Sequence, residues 1–99
     1  MRQEDATERL RAILERNVRA LVDQPDKVSV QATISDGGNT VVLTIDVAAG
    51  EVGKVIGKKG RNSHALRTLL EAVAAKYKQR VVIEISDDQR RSRRNHHAS

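Results

Sequence analysis

Apolar residues recur every three or four positions at the start of the chain: Ala6, Leu10, Ile13, Leu14, Val18, Leu21 and Val22. That spacing places them on one face of a helix over residues 5–22, with charged residues opposite. Pro25 ends the run, because the residue before a proline is disfavoured in helical geometry. The period then changes to two. Val28, Val30, Ala32 and Ile34 alternate with polar residues, which predicts a strand with those four side chains inward. Asp36-Gly37-Gly38-Asn39 is a turn signal of the hairpin type. A second strand, Thr40 to Val47, puts Val41, Leu43, Ile45 and Val47 on one face. A short helical piece, Glu51 to Ile56, leads into Gly57-Lys58-Lys59-Gly60. A long helix from about Arg61 to Lys78 follows, with Ala65, Leu66, Leu69, Leu70, Val73, Ala74 and Tyr77 as its apolar face. The last strand, Arg80 to Ser86, carries Val81, Val82, Ile83 and Ile85.

The order is therefore α-β-β-α-α-β. It predicts one α+β domain in which helices cover one face of a three-stranded sheet. The domain occupies residues 1–86, with its core over about 8–86. Residues 87–99 contain no apolar side chain except Ala98, and carry Arg90, Arg91, Arg93 and Arg94. That composition predicts a disordered, Arg-rich tail.

Composition narrows the chemistry. Among the 99 residues Tyr77 is the sole aromatic. Folds that stack bases on two or three exposed rings are thereby excluded. Without cysteine, disulfide frameworks, thiolate metal sites and cysteine nucleophiles are excluded as well. The charged N-terminus and the lack of any run near ~20 apolar residues predict a soluble, cytoplasmic protein that does not enter membranes. Charge is unevenly divided. Residues 1–53 hold 6 Lys/Arg against 9 Asp/Glu, whereas residues 54–99 hold 12 against 4. A basic half beside an acidic half suits one phosphate-attracting face.

The basic half contains the most informative segment, Val52-Gly53-Lys54-Val55-Ile56-Gly57-Lys58-Lys59-Gly60-Arg61. Glycines three apart let the backbone turn sharply and approach a ligand. The following helix aims free N–H groups and a positive dipole end at the same spot. Lys58 and Lys59 add two cations, Lys54 and Arg61 flank them, and Arg67 lies two turns along the helix. The P-loop pattern fails, since three residues separate Gly53 from Gly57 and Lys58 is followed by Lys59 rather than Ser or Thr. No nucleophile–base arrangement is apparent, so the chain is read as a non-enzyme with no cofactor. His64 has no ligand neighbours at metal spacing, and His96 and His97 lie in the tail. Val52, Val55, Ile56 and Leu66 are candidates for an apolar floor under bases, or for simple core.

The core Val55-Ile56-Gly57-Lys58-Lys59-Gly60 resembles that of KH domains, whose loop clamps about four nucleotides of a single strand. The element order resembles the type II version, which implies a mixed sheet. Three stretches, Ala20 to Val28, Gly53 to Arg61 and Ala65 to Leu69, are similar to those of the bacterial KhpA (YlqC-like) family of small stand-alone KH proteins. The resemblance spans roughly residues 8–86. It implies binding of single-stranded RNA by Gly57, Lys58, Lys59 and Gly60, with Lys54, Val55, Ile56, Arg61, Asn62 and Arg67 around them. It also implies a cytoplasmic RNA chaperone that forms homodimers, pairs with a larger KH-containing partner, KhpB, and influences cell shape and wall elongation. Asn62 departs from the family, which often has an aliphatic residue there. The competing expectation is a protein-interaction or ribosome-assembly module with RNA contact secondary.

Overall fold

The computed structural model describes residues 3–87. Helix α1 spans Gln3–Leu21, and a single 3-10 turn, Pro25–Lys27, links it to strand β1, Ser29–Ser35. A tight turn at Asp36–Gly38 leads to β2, Thr40–Val47. Helix α2, Val52–Ile56, and a 3-10 turn at Lys58–Gly60 precede α3, Arg61–Lys76, and β3, Arg80–Asp87, closes the fold. The expected order α-β-β-α-α-β is the order found. The Arg-rich stretch and His96 and His97 lie outside the described residues.

The strands lie in the order β1-β2-β3. β1 and β2 pair antiparallel, with Val30 opposite Ile45 and Ala32 opposite Leu43. β2 and β3 pair parallel, with Leu43 opposite Ile83 and Thr40 opposite Arg80. A parallel pair needs a crossover between its strands, and α2 and α3 supply it. The mixed sheet implied by the family resemblance is thus present.

Alternation decides which face is covered. Val30, Val41, Leu43, Ile45 and Val47 are buried beneath Leu10, Leu14 and Val18 of α1 and Leu66, Leu70 and Ala74 of α3. Among the described residues no helix covers the opposite face of the sheet, with Gln31, Thr33, Glu84 and the exposed Val82. One inward expectation is corrected: Ile34 is 43% exposed, because it lies at the end of an edge strand beyond helix cover. On α3 only Leu66, Leu70 and Ala74 are buried, while Ala65 and Leu69 of its expected apolar face stand exposed.

One buried carboxylate fixes where α2 starts. Glu51, 5% exposed, accepts hydrogen bonds from the backbone N–H of Asp23 (2.7 Å) and Gln24 (3.1 Å). It thereby ties the exit of α1 to the entrance of α2. A charged acceptor serving two main-chain donors offsets its own desolvation.

Candidate nucleic-acid interface

The loop between α2 and α3 turns through three residues with positive φ. Gly57 has φ 79 and ψ 171, a combination open essentially to glycine alone. Lys59 has φ 57 and ψ 25, and Gly60 has φ 74 and ψ 16. Two short backbone bonds hold the turn: Gly57 N–H donates to the Gly53 carbonyl at 2.8 Å, and Gly60 N–H to the Gly57 carbonyl at 3.0 Å. The result is a tight corner from which the side chains of Lys58 and Lys59 project into solvent.

Gly57 is required twice over. A Cβ there would sit 2.6 Å from Asn62 Cγ and 2.8 Å from its Nδ2. Asn62 itself is half-buried and donates from Nδ2 to the Lys54 carbonyl at 2.9 Å. It therefore buttons the start of α3 onto α2 and lies directly behind the loop. Gly60 has more room, its nearest prospective contact being Ser63 Oγ at 3.7 Å. Ser63 also donates from its hydroxyl to the Gly60 carbonyl at 3.1 Å. Among the described residues no side chain caps the start of α3, where Arg61 N–H turns back to the Lys58 carbonyl. That start leaves a positive dipole end beside two lysines, the arrangement that suits an anion.

The other expected site residues fall into three groups. Arg61 and Arg67 are exposed on α3, and Ile56 is 38% exposed beside the loop. Val55 is fully buried, so its side chain supports the site from the core instead of lining it. Leu66 is core for the same reason, and Val52 is half-buried against the core. Lys54 is exposed, yet its ammonium is ion-paired with Asp23 and lies 3.7 Å from Glu51 Oε1. The hydrogen bond to Asp23 holds the Lys54 pKa above its ordinary value.

Asp23, Glu51 and Ser63 were not marked by the sequence pattern. Asp23 reaches Lys54 from 31 residues away along the chain and meets Glu51 across 28, and no local periodicity reports such contacts. The Glu51–Lys54 spacing of three on a short helix was the one readable hint.

Comparison with known proteins adds an independent finding. The family profile described as KhpA/KhpB, KH domain, matches residues 11–85. RNA-binding protein KhpA of Aquifex aeolicus is 49% identical over 76 residues, which cover 77% of this chain and 94% of that protein. RNA-binding protein KhpA of Clostridium acetobutylicum is 42% identical over 76 residues, covering 77% of this chain and 99% of its own length. Among solved structures, Era from Aquifex aeolicus aligns with 83% of this chain and 32% of its own, at a TM-score of 0.43 and 18% identity. That likeness is too slight to carry a functional argument.

Proposed function

The chain belongs to the KhpA/KhpB KH-domain family, and we propose that it binds single-stranded RNA by clamping the sugar–phosphate backbone in the Gly57–Gly60 corner. The observation that carries this reading is the loop itself. Its positive-φ glycines bring main chain close to a ligand, while Lys58, Lys59 and the uncapped start of α3 present positive charge at one point. Such contacts set affinity and salt dependence and leave base choice to neighbouring apolar contacts. Ile56, exposed beside the loop, is the apolar side chain we assign to base contact. Lys54 contributes by bracing the corner, since its charge is shared with Asp23 and Glu51.

Single-stranded preference is the property that tests this reading. An RNA 12-mer should bind the full chain at least about tenfold more tightly than the same strand hybridised to its complement, since the corner takes about four splayed nucleotides. Equal affinity for the strand and its duplex, in anisotropy titrations at one salt concentration, would overturn it.

A homodimer belongs to the same proposal, and the exposed seam between α1 and α3 supports it. Asn17, Ala20, Leu21, Asn62, Ala65, Leu66 and Leu69 line a hollow of about 260 Å³ there. Leu69 stands 42% exposed at its edge, and apolar surface of this kind favours association. Leu69→Asp should convert a dimer to monomer in sedimentation velocity without loss of helix content. A wild-type chain that sediments as a monomer at 0.1 mM would remove the dimer from the reading. Pairing with KhpB, action as an RNA chaperone and effects on cell shape and wall elongation, which the family resemblance implies, stand as part of the same proposal.

A further inference from the structure

The far end of α3 repeats, in weaker form, the chemistry of the loop. Helix α3 ends at Lys76, and the chain then passes through Lys78 with φ 58. Lys78 N–H donates to the Ala75 carbonyl at 3.1 Å and Gln79 N–H to the Ala74 carbonyl at 3.0 Å. This is the left-handed helix stop at which glycine is the default residue. A lysine there carries a Cβ into an unfavourable conformation. Two residues on, Arg80 donates its backbone N–H to the Asn39 carbonyl at 2.8 Å. Lys78, Arg80, Asn39 and Thr40 surround a hollow of about 430 Å³.

Among the described residues neither Lys78 nor Arg80 has a carboxylate within ion-pair distance. Both side chains are exposed. A cation after a helix end does complement the helix dipole. That effect accounts for a basic residue in the last turn, which Lys76 already provides. It does not account for a lysine in a glycine position, nor for Arg80 on the neighbouring strand. Retaining charge at a strained position points to a use for the charge.

The two basic corners are linked by one flank of α3. Ser63, Arg67 and Glu71 recur at intervals of four, so they share a side of the helix. Glu71 lines a hollow with Arg80, Val81 and Val82, which identifies that side as the one facing β3. Exposed Arg67 thus lies between the loop and Arg80. Over its 16 residues α3 rises roughly 24 Å. A stacked strand advances ~3.4 Å per phosphate, so about seven steps separate the corners. A clamp holding about four nucleotides does not reach that far.

We propose that Lys78 and Arg80, with Asn39 beside them and Arg67 midway, form a second RNA-backbone site at the end of α3 opposite the Gly57–Gly60 loop. The ligand is the phosphodiester backbone of the same strand, held over about eight nucleotides at stacked spacing. The inference rests on the RNA-binding reading, and the test separates the two.

Anisotropy titrations of the full chain with 5- and 12-nucleotide single-stranded RNAs of mixed sequence provide the test. A single-strand contact carries a log–log salt slope of ~0.7, so two contacts contribute roughly 25-fold at 0.1 M salt. The double variant Lys78→Gly with Arg80→Gln should lose about that factor on the 12-mer, with its salt slope reduced by ~1.4. Affinity for the 5-mer should not change. Lys78→Gly alone should melt at a higher temperature than the wild type, so weaker 12-mer binding by that variant cannot come from a damaged fold. Unchanged 12-mer affinity and salt slope in the double variant would overturn the second site while leaving the loop reading intact. Failure of the wild type to bind either RNA would overturn both.

Discussion

Aspartate in place of both Lys58 and Lys59 should reduce affinity for single-stranded RNA by at least about a hundredfold at 0.1 M salt. Removing two phosphate contacts of slope ~0.7 accounts for roughly 25-fold. Reversal of the charges supplies the rest, because two carboxylates then face the phosphates they replaced cations for. The fold should survive. Both side chains are exposed and make no contact with the core. Lys59 sits at φ 57, where aspartate is better tolerated than lysine, so the substitution does not add strain. Melting temperature should therefore stay within a few degrees of the wild type while the salt slope falls by at least ~1.4. Undiminished RNA affinity in a folded double variant would remove the loop from the binding surface.

The sequence made the elements legible where a local period was strong. The alternation in Thr40 to Val47 gave β2 its bounds, and the recurrence of Leu10, Leu14 and Val18 every four residues gave α1 its buried face. Alternation alone did not report that β2 and β3 run parallel, since pairing direction is a property of the crossover and not of either strand. That expectation came from family resemblance. Helix α3 ends at Lys76, two residues short of the expected Lys78, because Lys78 takes the left-handed stop where a glycine would signal the end. Within the site, glycines and lysines were readable from spacing, and their supports were not. Glu51 holds two backbone amides 27 and 28 residues distant, and Lys54 is drawn to Asp23 across 31. Val55 and Ile56 are adjacent apolar residues of one short helix. Only packing shows that the first is core and the second is exposed.

The substitution with the second largest expected effect is Gly57→Ala, and its interest lies in the partner that should rescue it. Two costs combine. A Cβ at φ 79, ψ 171 is strained by about 1–3 kcal/mol whatever surrounds it. The same Cβ would press on Asn62 Cγ at 2.6 Å, where overpacking adds roughly 1–3 kcal/mol. Urea unfolding should then show a loss of about 3 kcal/mol. Asn62→Ala alone gives up one hydrogen bond, to the Lys54 carbonyl, and should cost about 1 kcal/mol. In the double variant Cγ and Nδ2 are gone while the Cβ at position 62 stays 2.9 Å from the added methyl, so relief is partial and the losses should fall short of additive by about 1 kcal/mol. Gly60→Ala is the control, because φ 74 strains it while no atom lies within 3.4 Å of its prospective Cβ. It should show no coupling to Asn62. Strict additivity of Gly57→Ala and Asn62→Ala would mean that the loop shifts freely away from α3. Asn62 would then have no part in setting the corner. Coupling without recovery of RNA affinity would locate the requirement for glycine in its backbone conformation, and recovery of both would locate it in the space behind the loop.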